Sequence, residues 1–254
     1  MNNAADLDLR PASTLVRGDG RADHAFCPLS AFAAPGLQDV ASPAAAHMAL
    51  ASHGLSVSPL VLVQEAGASR EQGAIHARGL ARLGIDPARV IRVRAARPRD
   101  ALWAMEEAVK AGIGVIGEIA GAPRVLDFTA TRRLSLFAEA GGVRCVLVRI
   151  GAGASTAGPS GAPWRWCVTP SPSLPDPHDA RAPGRARWSL ELLRARTRPP
   201  GQWLVEAESE PVGDERFGAA HRLRVVPPLA DGDLETGEEA AGGVVLPFRP
   251  RRAA

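Results

Sequence analysis

The first residue in this chain whose type and place suggest chemistry is an acid at the end of an apolar run. Glu118 lies within Ile113–Ile119 (IGVIGEI), where nucleotide-hydrolysing proteins place the carboxylate that supports magnesium chemistry. That chemistry also needs G-x-x-x-x-G-K-[ST], whose glycines let backbone N–H groups wrap phosphates while the lysine meets the terminal phosphates and the hydroxyl holds the metal. Where such a loop would fall, Ala41–His47 reads ASPAAAH, with no glycine and no lysine. Lys110 is the sole lysine, late in a helical stretch, and the other 29 of the 30 basic side chains are arginines. Glu118 therefore reads first as a solvated or hydrogen-bonded strand-end carboxylate, and only secondarily as the remnant of a degenerate nucleotide site around Ala41–His47.

No other constellation replaces it. The histidines, His24, His47, His53, His76, His178 and His221, form no H-x-x-x-H pair with an acidic partner, and there is no G-x-S-x-G elbow. His47 and His53 are six apart and do not share a helix face. Cys27, Cys145 and Cys167 are odd in number and lack C-x-x-C spacing, which fits a reducing compartment without structural disulfides or zinc. No catalytic, cofactor-binding or metal-ligating residue is expected.

The elements that would position Glu118 alternate. Leu37–Val40 is a candidate first strand and Pro43–His53 an Ala-rich helix with Pro in its first turn. Pro59–Gln64 (PLVLVQ) is an apolar run of the kind buried on both faces of a parallel sheet. Ser69, with Gln72 in capping-box spacing, opens a helix carrying Ile75, Leu80 and Leu83 inward and stopping at Gly84. Arg89–Arg94 reads as a strand. A helix follows over Pro98–Ala111, with Ala101, Leu102, Met105, Ala108 and Val109 on one face and Trp103, Glu106 and Lys110 opposite, Glu106 and Lys110 forming an i,i+4 ion pair. After Ile113–Ile119 come a helix over Val125–Ala140, closed by Gly141-Gly142, and a strand, Cys145–Ile150. Such βα repetition implies a doubly wound, mostly parallel sheet. Beyond the loop GAGASTAGPSGAP (151–163), Trp164–Thr169 alternates as a strand. ARWSLELLRAR and QWLVEAE then flank a short Pro-Gly turn as an antiparallel pair, and His221–Val226 is a last strand.

The chain of 254 residues fits one large α/β domain over 29–229, with a flexible leader (1–28) and a flexible tail (230–254). A polar, acidic N-terminus and the lack of any 18-residue apolar run point to a cytoplasmic protein with no membrane association. Net charge is only +3, with 27 acids nearly balancing the arginines, so overall charge does not call for nucleic acid. The arginine bias reads first as coding composition, second as selection for fork-shaped donors to phosphate or carboxylate.

The stretches DALWAMEEAVKAGIGVIGEI (100–119), VLDFTATRRLSLFAEAGGVRCVLVR (125–149) and RWSLELLRARTRPPGQWLVEAE (187–208) resemble the ImuA family of RecA-like accessory proteins. The most distinctive element is L-D-x-T-A-x-R-R-L with Trp103 upstream, and the resemblance runs over roughly 59–229. It implies a RecA-like fold with a degenerate P-loop site and a non-catalytic role in SOS-induced translesion synthesis. The implied partners are an inactive Y-family polymerase relative, an error-prone C-family polymerase and RecA. In RecA the loop after the fifth strand contacts single-stranded DNA; here that loop, 151–163, carries neither a basic residue nor an aromatic platform, so DNA contact is expected to be indirect. Candidate partner or DNA contacts are Arg132 and Arg133 on a helix, Arg194, Arg196 and Arg198 near the hairpin turn, and Trp103. The plainer readings are a solvated arginine edge and, for Trp103, Trp164, Trp166, Trp188 and Trp203, core or half-buried sheet residues, any exposed one being an interface anchor. The alternatives are a weak ATPase using Glu118 and a single-strand-binding module. VVLPFRPRR (244–252) is a candidate linear motif.

Overall fold

A computed structural model describes residues 27–43, 59–83, 85–156, 158–176, 178–179, 181–209 and 221–227. Residues 1–26 of the leader, the Ala-rich stretch beyond Pro43, and the tail with its VVLPFRPRR segment lie outside the described residues, while Pro28, placed in the leader by the sequence, is buried and opens a helix. One nine-stranded sheet organises the rest. In chain order the strands are β1 (Gly36–Ser42), β2 (Leu60–Glu65), β3 (Val90–Ala95), β4 (Gly114–Ala120), β5 (Arg144–Ile150), β6 (Trp164–Ser171), β7 (Arg187–Ala195), β8 (Gly201–Ser209) and β9 (His221–Val226). Their spatial order is β3-β2-β4-β5-β1-β6-β7-β8-β9. The first six neighbours are parallel and β6 to β9 are antiparallel. The antiparallel part thus has three successive pairings where the sequence suggested one strand pair.

The continuous apolar runs become β2, β4 and β5 because each is covered on both sides. Odd and even residues of a strand point to opposite faces. Leu60, Leu62, Ile116, Val146 and Val148 join a core with α1 (Pro28–Ala33), α2 (Ala66–Gln72) and α3 (Ala77–Arg82), whereas Val61, Val63, Val115, Cys145 and Leu147 join a core with α4 (Pro98–Lys110) and α5 (Phe128–Gly141). Cross-strand ion pairs hold the antiparallel extension in register: Arg187 faces Glu206 at 2.6 Å, and Arg224 meets the same carboxylate at 2.7 Å.

Three local expectations are corrected. The helix expected to open at Ser69 and run to Gly84 is two short helices broken at Gly73, capped by Glu65 and His76. Backbone amides of Gly67 and Ala68 donate to the Glu65 carboxylate at 2.8 and 3.1 Å, a stronger start than a serine hydroxyl. The helix expected from Val125 begins at Phe128, because Asp127 caps it by accepting from the Ala130 amide at 2.7 Å. Glu106 does not pair with Lys110: Lys110 bonds Glu107 at 2.8 Å and lies over the Phe137 ring, while Glu106 is buried against Arg133.

β4 and α4 approach closely at Gly117. A Cβ there would overlap the Met105 side chain, which is itself fully buried. Gly117→Ala is expected to cost about 1–3 kcal/mol by overpacking, measured as a lower urea midpoint with unchanged slope. Met105→Ala in the same chain should recover part of the loss, and additive losses would disprove the steric cause.

Candidate partner-binding site

β2 leads to β3 through α2 and α3 on one face, while β4 leads away to β5 through α5 on the other. The crevice at their carboxyl ends is therefore a topological switch point, the usual ligand position in open α/β sheets. The chain's own groups occupy its mouth. Glu65 is 5% exposed and takes amides from α2 and, at 3.4 Å, from Ala120 across the crevice. Glu118 is buried, and the Gln64 amide donates to it at 2.8 Å and to the Gly73 carbonyl at 3.0 Å. Of the two earlier readings of Glu118, hydrogen bonding holds and solvation does not. Beside it a cavity of about 210 Å³ is lined by Gln64, Gln72, Gly73, Ile75, His76 and Glu118. Glu65 escaped sequence reading; its signal was an acid at a strand end before the small residues Ala66-Gly67-Ala68.

α4 runs back across the sheet, so Lys110, on its last turn, precedes the start of β4. The chain's one lysine thus lies at the opposite edge of the parallel strands from the crevice. Ala41 and Ser42 are buried in β1, and residues 44–47 of the Ala41–His47 segment lie outside the described residues.

The α4 and α5 pair makes a second concavity. A groove of about 350 Å³ is lined by Arg99, Leu102, Trp103, Glu106, Asp127 and Arg133. Trp103 is 65% exposed, unlike Trp166 in the core and Trp164, Trp188 and Trp203 packed against it. The Arg133 Nε donates to Glu106 Oε1 at 2.7 Å, which raises the Arg133 pKa. Trp103 and Arg133, chosen from different segments, therefore share one groove.

Arg132 and Arg133 separate, as neighbours about 100° apart on a helix must. Arg132 faces the loop after β5, where its backbone and Cβ abut Gly161. Arg194 is exposed on β7 and donates to the Ser160 carbonyl at 3.4 Å; Arg196 lies 4.0 Å from Glu139 of α5. Arg198 is half-buried beyond β7. The three near-hairpin arginines do not line one strand face, since β7 ends at Ala195 and only Arg194 lies within it; just before Arg194 is a bulge, where Arg165 pairs with Arg194 but Trp166 with Leu192, so Leu193 is the extra residue. The bulge turns Arg194 to the side of Arg165 and away from the core of Leu190 and Leu192.

Sequence reading also missed the charged centre beneath this loop. Arg149 and Asp39 are 0% and 1% exposed and form a two-pronged pair, Nε to Oδ1 at 2.8 Å and Nη2 to Oδ2 at 2.9 Å. Arg165 stands 4.0 Å from the same carboxylate. Cys145 is buried and its thiol pKa is pushed up by burial, while Cys167 is buried and Cys27 exposed. Among the described residues no cluster of His, Cys, Asp and Glu could hold a metal, and no helix is long and apolar enough to cross a membrane.

No protein-family model matches the chain. Two strains of Caulobacter vibrioides carry a protein named Protein ImuA that is 36% identical over 172 residues. The chain belongs to the ImuA family. The match covers 65% of this chain and 66% of the ImuA proteins, just under two thirds of their length. ImuA membership agrees with the resemblance carried by the α4, α5 and β7–β8 segments, whose residues build the groove and its neighbouring arginine face.

Proposed function

We propose that this protein is a non-catalytic, RecA-like adaptor in damage-induced error-prone translesion synthesis. It acts by contacts with an inactive Y-family polymerase relative, an error-prone C-family polymerase or RecA. The observation that carries this reading is the exposed Trp103 on the rim of the α4/α5 groove, within one of the stretches that resemble ImuA. Exposed tryptophan beside a cleft is the side chain richest in interface energy. Support for a RecA-like sheet comes from β1 lying inside the parallel strands and from acids at the ends of β2 and β4. Support for absent catalysis comes from Lys110 at the wrong edge and from Glu65, which fills the amides that an anion would use.

In a pull-down with the purified full chain, the polymerase relative or RecA is expected to be retained. Trp103→Ala should weaken that retention about thirtyfold, the effect of a hot spot worth about 2 kcal/mol, with an unchanged melting temperature. Retention of neither partner, or equal retention by the variant, would refute the adaptor reading. A second reading, a weak ATPase, draws on the buried acids of the crevice. It requires saturable binding of labelled ATP with magnesium that Glu118→Gln abolishes.

A further inference from the structure

Gln64 on β2 is 5% exposed, and its partners fix which way round its amide stands. The nitrogen donates to the Glu118 carboxylate at 2.8 Å and to the Gly73 carbonyl at 3.0 Å. A carboxylate and a carbonyl can only accept, so the amide oxygen cannot change places with the nitrogen. Gln64 Oε1 is buried without a hydrogen-bond partner among the described residues, and so is Nε2 of Gln72 at the end of α2. Both side chains line the cavity of about 210 Å³ beside Glu118. Buried polar atoms are rarely left unpaired in folded proteins, and here one acceptor and one donor border the same space.

The rest of the lining narrows what could fill it. Ile75, Leu80 and Leu83 supply apolar surface, and Glu118 stands beside Gln64. His76 is engaged in capping α3, its Nδ1 accepting from the Arg78 amide at 3.2 Å. A dry cavity of about 150 Å³ takes a benzene ring, so this one takes a ring-sized apolar body with a small polar head. That head must donate to Gln64 Oε1 and accept from Gln72 Nε2, which the two ends of a primary carboxamide do together. An anionic head would meet the Glu118 carboxylate and an acceptor that it cannot satisfy. A cationic head would suit both of those groups and still leave the Gln72 donor unpaired. Phosphate is disfavoured twice over, because Glu65 already holds the amides of Gly67 and Ala68.

We infer that the cavity between β2, β4 and the α2–α3 segment is a binding site for a primary carboxamide on a compact apolar body. Gln64 Oε1 accepts from its N–H and Gln72 Nε2 donates to its carbonyl. A free small molecule or the glutamine side chain of a partner's segment carries this chemistry. The site is separate from the Trp103 groove and does not depend on the adaptor reading.

The test is a titration of the isotope-labelled full chain, read from glutamine side-chain amide signals in two-dimensional NMR. Benzamide, benzoate and benzamidine share one ring and nearly one shape. Benzamide should bind saturably, with a Kd on the order of 1 mM for so small a ligand, and shift the Gln64 and Gln72 signals. Benzoate and benzamidine should bind at least about tenfold more weakly. Gln72→Leu should weaken benzamide about tenfold. Gln72→Glu exchanges the donor for an acceptor and should invert the order, so that benzamidine binds better than benzamide. Gln72 is partly exposed at a helix end, and circular dichroism melts verify that both variants fold. Isovaleramide and N-acetylglutamine methylamide distinguish the sources: preference for the first assigns a free amide, and preference for the second a partner's side chain. The inference is overturned if no probe saturates, if the three ring probes bind alike, or if Gln72→Glu leaves their order unchanged. Displacement of benzamide by magnesium ATP would also overturn it, by returning the crevice to a nucleotide. Trp103→Ala should bind benzamide normally, which separates this result from failure of the adaptor proposal.

Discussion

Replacing Asp39 with alanine is expected to destabilise the protein by about 3–5 kcal/mol, the cost of leaving one partner of a buried ion pair alone. For an ordered domain of this size the loss corresponds to a fall in melting temperature of roughly 6–20 °C. The reason is position. Asp39 is in β1, at the middle of the sheet between β5 and β6, and Arg149 cannot reach water because it is fully buried. Without the carboxylate, Arg149 retains only the Pro159 carbonyl, and Arg165 loses its nearest acid. A paired change, Asp39→Leu with Arg149→Met, removes both charges and should recover most of the stability or exceed it. Calorimetry on the single and the paired variant decides the matter: a single substitution costing under about 1 kcal/mol would mean that the ion pair is hydrated and not desolvated in the sheet.

The second large effect is expected at Trp166, where alanine should cost about 3–5 kcal/mol. Its side chain is fully buried and joins elements far apart in sequence. Its ring stacks on Trp164 at 5.9 Å, meets Phe32 of α1 edge-on at 5.5 Å and lies 6.4 Å from Trp203 of β8. The indole N–H donates to Gln38 Oε1 at 2.8 Å, and the Gln38 amide in turn donates to the Ala31 carbonyl at 3.3 Å. Truncation therefore opens a cavity and orphans a buried amide oxygen at once. Trp166→Phe separates the two terms: it keeps most of the ring packing and should lose about 1–3 kcal/mol for the unsatisfied Gln38. Urea titrations measure both, and equal losses for alanine and phenylalanine would show that the hydrogen bond, not the ring, dominates.

The near-continuous apolar runs at Leu60–Glu65, Gly114–Ala120 and Arg144–Ile150 were legible because strands buried on both faces must be apolar throughout. The inner face of α4 was legible for the same reason, since a helix against a sheet repeats its apolar residues every three or four positions. Less was legible where two signals compete. Ser69 with Gln72 looks like a capping box, yet Glu65 supplies a charged cap three residues before Ala68. Glu106 looked solvent-facing because its partner Arg133 is 27 positions away. Of the candidate contacts, Trp103 and Arg133 came together in a groove, whereas Arg132 and Arg194 joined a loop that sequence reading had set aside as chemically bare.

By itself the sequence determined the α/β alternation, the antiparallel hairpin of β7 and β8, the absence of a phosphate-loop motif in Ala41–His47 and the family resemblance. All of these are local, being patterns of neighbouring residues that fix which dihedrals and which faces are favourable. Tertiary structure alone decided that Asp39 pairs with Arg149 across 110 residues, and that the bulge at Leu193 aims Arg194 beside Arg165. It also decided that Glu65 seals the crevice. Those outcomes depend on strand order and register, which follow from the packing of the whole sheet. A shift of one residue in that register would send every one of these charges to the other face.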